Sequence, residues 1–408
     1  MAHPAHDSVF RHRPFLLFWF ARLSVTASYQ MLVVAVGWQL YALTSNPFDL
    51  GLIGLIQFIP AMLLFLVVGQ VTDRYDRRRV LMFCQTVEAI AAATLLTGLL
   101  SGATSRGLIL AVAFILGVAR AFEVTAMQII VPGLVPQRLV PRAVAGSATA
   151  NQAATITGPA LGGFLYALGP AVVYGVCLTL FAAAALLTLM IQMERVAPTR
   201  APLTLAGFFG GIAFMRHSPV VFGVISLDLF VVLLGGVTAL LPVFARDVFA
   251  AGPWALGLLR AAPGCGALMM ALTLTRRPIE RHAGKMMFAA VAGFGLAAVV
   301  FALSGHFVVA LAALALLGAC DMVSVVIRMT LVQLGTPDEL RGRVTAVNGL
   351  FIGASNQLGE FRAGAMASWL GAVPAVLVGG IGTLVITLLW TRLFPALWRA
   401  DRMGGDIK

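Results

Sequence analysis

Nine ionisable side chains stand inside long apolar runs of this chain: Arg22, Arg120, Glu123, Asp228, Arg260, Asp321, Arg328, Glu360 and Arg362. If those runs cross a bilayer, an unpaired charge facing lipid at its centre costs about 2.5–3.5 kcal/mol even on the lenient insertion scale. Nine of them would cost on the order of 25 kcal/mol, beyond the net stability of a typical protein. They must therefore face protein or water, where their chemistry is ion pairing and proton exchange. A carboxylate beside an arginine in a half-wet site has its proton affinity set by desolvation against the neighbouring charge. Arg120 and Glu123, three apart, share a helix face, and Asp321 and Arg328, seven apart, share another. Glu123, Asp228 and Asp321 are the first candidates to take up a proton on one side and release it on the other. Arg22 and Arg260 lie near the ends of their runs, where a long side chain reaches towards the interface. Glu360 and Arg362 are two apart in SNQLGEFRAG (355–364). They point to nearly opposite sides of a helix and do not readily pair with each other, which makes Glu360 a further coupling candidate.

Catalysis has no comparable support. Isolated Ser and Asp residues form no nucleophilic constellation, and no GxxxxGK[ST] loop offers a nucleotide site, so neither an enzyme nor an ATP-driven pump is expected, and no cofactor. Cys84, Cys177, Cys265 and Cys320 are far apart, inside apolar runs and without a CxxC pair, as small packing residues are. His3, His6 and His12 cluster only loosely in a polar start, and no metal site is expected.

The elements that position the charges follow from composition. Of 408 residues, 60% are apolar and 11% charged, against roughly 45–50% and 25% in a soluble domain. About twelve runs reach the ~20 residues that span a hydrocarbon core. They lie near 15–41, 50–69, 80–101, 107–131, 143–168, 171–192, 219–243, 254–275, 286–304, 307–331, 344–368 and 373–394. Runs this continuous lack the alternation of barrel strands, so the fold class is an all-α membrane protein. The first run has a basic flank but no convincing cleavage site before it ends, and is read as a retained span. The net charge of +12 does not imply nucleic acid. With the amino terminus inside, the bases fall almost wholly on one face of the membrane, leaving only Arg106 and Arg246 opposite. That asymmetry predicts a multi-pass protein of the cytoplasmic (inner) membrane with both termini cytoplasmic.

The spans divide six and six. Residues 1–192 form one expected bundle and 218–395 a second. A Pro- and Arg-richer cytoplasmic linker occupies 193–217, with an amphipathic helix on the membrane surface as one reading of it, and 396–408 is a cytoplasmic tail. The halves repeat: VPQRLVPRA (135–143) matches TPDELRGRV (336–344) at an offset of 201 residues, which also joins Gly117 to Gly318, Gly158 to Gly359 and Gly163 to Gly364. Parallel six-helix repeats mark one large class of secondary transporters.

With these features in place, the chain resembles the major facilitator superfamily over essentially its full length. GQVTDRYDRRR (69–79) fits the superfamily's GxxxDRxxRR loop through Gly69, Asp73, Arg74, Arg77 and Arg78. Gly69 is expected to permit a sharp turn at the membrane face, and the bases to hold the loop at the anionic cytoplasmic surface. The resemblance implies that Asp73 latches the halves on the cytoplasmic side. ATITGPALGG (154–163) is similar to the family's antiporter motif through Gly158, Pro159, Gly162 and Gly163, with Ala154 in place of the first Gly, which implies export. The family's span-four arginine is not matched, since Ala113 stands near its position and Arg120 comes later.

In the family, spans one, four, seven and ten line a central cavity. Here they hold Arg22, Arg120, Glu123, Asp228, Asp321 and Arg328, while the outer spans carry only Glu88. The stretches at 36–61, TPDELRGRV and SNQLGEFRAG resemble the branch of enterobactin-type siderophore exporters and multidrug efflux proteins. The implied protein is a monomeric secondary transporter that exports a small amphipathic molecule, a siderophore or drug, against protons. A lysophospholipid or metabolite carrier is the alternative within transport, and a non-transporting receptor or scaffold the alternative outside it.

Overall fold

The computed structural model describes residues 8–192, 205–279 and 281–399. His3, His6, the first half of the linker and residues 400–408 lie outside them. The described residues are helical, with no strand among them. Their contacts group into two units, one made of Met1–Leu43 with Ile59–Pro202 and the other of Thr44–Phe58 with Leu203–Lys408.

The helices of the first half are α1 (Arg13–Thr44), α2 (Pro47–Leu63), α3 (Phe65–Arg74), α4 (Arg77–Leu100), α5 (Arg106–Ile130), α6 (Val140–Leu168) and α7 (Pro170–Leu189). The run expected at 50–69 is α2 plus α3. Pro60 lies inside α2, where its missing N–H and its ring weaken the ladder, and the helix is interrupted at Leu64 before α3. Helix starts are marked by side chains. Asp76 caps α4 by accepting from Arg78 N–H at 3.0 Å, and Ser105 caps α5 by accepting from Leu108 N–H at 3.2 Å, each satisfying a donor the helix leaves free. α4 packs along both α5 and α7. α1 is tied to α7 by the Ser28 hydroxyl, which donates to the Cys177 carbonyl at 3.0 Å, and by the Tyr174 hydroxyl, which donates to Gln39.

The second half continues with α8 (Leu205–His217), α9 (Pro219–Leu234), the single turn α10 (Leu241–Val243), α11 (Pro253–Arg276), α12 (Ala283–Leu303), α13 (Phe307–Leu334), α14 (Asp338–Leu370), α15 (Ala372–Leu393) and the short α16 (Pro395–Trp398). α8 packs against α9 and α14, and its Met215 is buried in a core with Val224, Phe288, Ile327 and Val347. This half of the linker is thus seated on protein. The run expected at 219–243 is not one helix. α9 stops at Leu234, and a 3-10 turn, α10 and a π-helical turn at Phe244–Val248 follow.

Among the described residues, nine helical stretches are long and apolar enough to cross a membrane. The other three expected spans are the broken α2–α3 and the helices α6 and α14. At 29 and 33 residues the last two are long enough. What they lack is apolar composition, with Asn151 and Gln152 in one and Gln357, Glu360 and Arg362 in the other.

The repeat is visible inside each unit. A Cβ at Gly158 would stand 2.7 Å from Gln30 Cβ, and one at Gly162 the same distance from Met31 Cα, so α6 lies directly on α1. In the second unit a Cβ at Gly359 would stand 2.6 Å from the Val232 carbonyl oxygen, so α14 lies on α9 in the same way. Small residues at this spacing let helices approach closely. The spans in question end alike, at Gly169 and Gly371 with φ of 143° and 90°, a region other residues rarely adopt.

Candidate functional site

The first unit gathers charges from three helices, with a hydroxyl from a fourth. Arg120 Nη1 bonds Glu123 Oε2 at 2.6 Å, and its guanidinium lies 4.4 Å from the centroid of the Tyr29 ring, so α1 and α5 hold it from two sides. Arg22 Nη1 donates to Ser147 Oγ at 2.6 Å, reaching α6, and lies close enough to Glu123 and Arg120 to act on both electrostatically. Glu123 is fully buried. Arg22, Arg120 and Glu123, read separately from the sequence, therefore form one group. That group has a further member. Glu88 on α4 is also fully buried, as is Gln85 one turn before it, and the Glu88 carboxyl lies within hydrogen-bonding reach of Glu123. Placing span three outside the cavity hid Glu88. Its signal was the same one that marked the other nine, a lone acid in an apolar run.

In the second unit Asp228 on α9 and Arg328 on α13 form an ion pair, with both residues buried. Arg328 thus finds its acid across helices. Asp321, two turns earlier on the same helix, is exposed. Glu360 accepts from Thr238 Oγ1 at 3.2 Å and lies near enough to Arg260 to feel its charge. Arg362 turns the other way and caps the end of α9, donating from Nε to the Leu233 carbonyl at 2.8 Å and from Nη2 to that of Leu234. A cation there meets carbonyls that a helix end leaves without donors. The two charges in SNQLGEFRAG thus grip both sides of the break in span seven, and a Cβ at Gly359, just before Glu360, would meet α9 itself.

The motif residues are placed as follows. Gly69 lies inside α3, with nothing within 4 Å of where a Cβ would stand, so the sharp turn expected of it is absent. The chain turns instead at Tyr75 and Asp76, where Asp76 starts α4. Asp73 and Arg74 end α3 and Arg77 begins α4. Arg74 is exposed, while Arg78 Nη1 donates to the Ile191 carbonyl at 2.7 Å and so ties this loop to the end of α7. Pro159 and Gly163 are buried inside α6 with Gly158 and Gly162. Of the aromatic and amide residues on the first span, Trp19 donates to the Gly146 carbonyl at 3.0 Å and Gln39 is taken by Tyr174, which makes both packing residues.

The chain matches the profile of the transmembrane secretion effector family over residues 6–403. It is 29% identical over 397 residues to the enterobactin exporter EntS of Shigella dysenteriae serotype 1 (strain Sd197), covering 95% of this chain and 91% of that one. The EntS of Citrobacter koseri is 28% identical over 406 residues, covering 97% and 93%. Among solved structures, the nucleoside transporter NupG superposes with a TM-score of 0.71 at 16% identity, over 93% of this chain and 99% of that one. A bacterial homologue of the iron transporter ferroportin in its inward-facing state superposes with a TM-score of 0.70 at 16% identity, over 94% and 100%. These likenesses concern the fold. The chain is a multi-pass membrane transporter with the major facilitator fold, and it belongs to the transmembrane secretion effector family.

Proposed function

We propose that this transporter exports small amphipathic molecules of the siderophore or drug type across the inner membrane, driven by protons entering in exchange. The observation that carries the direction and substrate class is the similarity to enterobactin exporters over nearly the whole of both chains. The coupling rests on the charges carried inside the spans, of which Glu123 and Asp228 are buried. Glu123, held by Arg120 in the first unit, is the foremost proton carrier, and Asp228, Asp321 and Glu360 are its counterparts in the second. Arg22 and Arg328 set the charge around them. The loop carrying Gly69, Asp73, Arg74, Arg77 and Arg78 lies on the cytoplasmic side in this reading, with both termini, and works as a gate. The Gly158, Pro159, Gly162 and Gly163 segment keeps α6 against α1.

The reading is tested by accumulation of enterobactin, and separately of ethidium, in cells with and without the protein. Lower accumulation of either compound, restored by a protonophore, is expected. Equal accumulation of both compounds with and without the protein, or export that survives collapse of the gradient, contradicts it.

A further inference from the structure

The group in the first unit contains an acid that the proposed coupling does not use. Glu88 is fully buried on α4, and no donor among the described residues reaches either of its carboxyl oxygens. Glu123 is satisfied on one side only. Its Oε2 takes Arg120, whereas its Oε1 is buried without a donor. The two carboxyls lie within reach of one another. Two ionised carboxylates in that position would repel in a medium of low dielectric, Glu88 with no hydrogen bond to make burial of its charge tolerable and Glu123 with one oxygen unserved. A single proton removes both defects. Placed on Glu88, it becomes the O–H that Glu123 Oε1 lacks, and Glu123 stays ionised for Arg120.

We propose that Glu88 and Glu123 form a carboxyl–carboxylate pair that binds one proton between them, resting on Glu88 and passing to Glu123 when that carboxylate acts as carrier. This deepens the proton-coupled reading and rests on it for its role in transport, though the proton site itself is a property of the resting protein. The step is proton binding alone. No bond forms or breaks other than O–H, and the proton is exchanged with water.

The groups facing the pair come from every helix packed on α4. α5 brings Arg120 beside Glu123, and α1 brings Arg22 and Tyr29. α4 itself brings Cys84, which feels both acids. α7 has no Asp, Glu, Lys, Arg or His, and its ionisable side chains are Tyr174 and Cys177, one bonded to Gln39 and the other to the Ser28 carbonyl. α3 brings Asp73 and Arg74 only where α4 begins, about 16 Å of helix from Glu88. Arg22 and Arg120 against two ionised glutamates sum to zero, and one bound proton makes the group +1. Loading therefore changes the field inside the first unit by a full charge without moving a helix.

The test is infrared spectroscopy of the purified full-length protein, with neither substrate nor gradient. The difference between wild type and Glu88→Gln should show the carbonyl stretch of a protonated carboxyl, shifted by exchange into heavy water. Glu123→Gln should move that band to higher frequency, because a neutral amide accepts more weakly than a carboxylate. If Glu88→Gln fails to fold, Glu88→Asp serves, and its band should be displaced. No band in the first difference, or a band indifferent to both Glu123→Gln and Glu88→Asp, overturns the pair. Absence of the band alongside proton-driven export would sink this inference alone. A band in a protein that exports nothing would sink the transport reading and leave the pair.

Discussion

Asp228 and Arg328 show what a charge inside a span demands of its neighbours. Both are buried and each is the other's ionic partner. Asp228→Leu leaves a buried guanidinium uncompensated, which costs about 3–5 kcal/mol, whereas exchanging both for apolar residues of similar volume is often neutral or stabilising. The single variant should therefore melt well below wild type in detergent, and Asp228→Leu with Arg328→Met should recover most of the loss. Equal melting of the two variants would mean that the pair does not hold α9 to α13. Arg362 makes the same argument with neutral partners. Arg362→Met strands the carbonyls of Leu233 and Leu234, at about 1–3 kcal/mol for a buried group left unsatisfied, and should lower the melting temperature without changing the helical content seen by circular dichroism. That these positions matter was legible in the sequence, because a charge in lipid is too costly to be accidental. Their partners were not. Asp321 and Arg328 share a stripe of one helix, yet the acid that meets Arg328 stands on α9, about a hundred residues away, and helix rotation decides such meetings. Glu88 was legible by the same cost argument and was set aside by its assignment to an outer span.

Helices meet where glycines allow it, and not every glycine in a motif does the same work. Gly162 and Gly359 have backbone of the neighbouring helix where a side chain would stand, while Gly69 has open space. Gly162→Leu and Gly359→Leu should each part α6 from α1 or α14 from α9 and sharply reduce the yield of monodisperse protein. Gly69→Ala should fold at wild-type stability or gain up to about 1 kcal/mol, since glycine inside a helix is the poorer former. A melting temperature clearly lowered by Gly69→Ala would contradict its placement inside α3. The packing glycines were readable from GxxxG-like spacing and the 201-residue repeat. The break after Leu234 was harder to see, because 219–243 is apolar throughout and periodicity reports no interruption. Its only mark is Gly235–Gly236, whose partner Gly359 is more than a hundred residues later. The interruption of the second run was no easier to place, since α2 continues past Pro60 and breaks four residues later at Leu64.

For the whole molecule, length and polarity were the most legible properties. Ten of the twelve runs became single helices with ends shifted by a few residues, and 50–69 and 219–243 became broken ones, because a hydrocarbon core dictates both the number of residues and their composition. The association of Thr44–Phe58 with the second unit depends on close approach, Gly51 and Gly54 on the backbone and side chain of Glu360 and Phe48 edge-on to Phe361 at 5.7 Å, which composition does not mark. What the molecule does with its charges is a question of flux. The most direct test is enterobactin movement in proteoliposomes under an imposed pH gradient, comparing wild type with Glu123→Gln and Asp321→Asn. The account predicts movement that follows the proton gradient in the wild type and is lost in Glu123→Gln. Movement indifferent to the gradient, or unchanged in both variants, would contradict it.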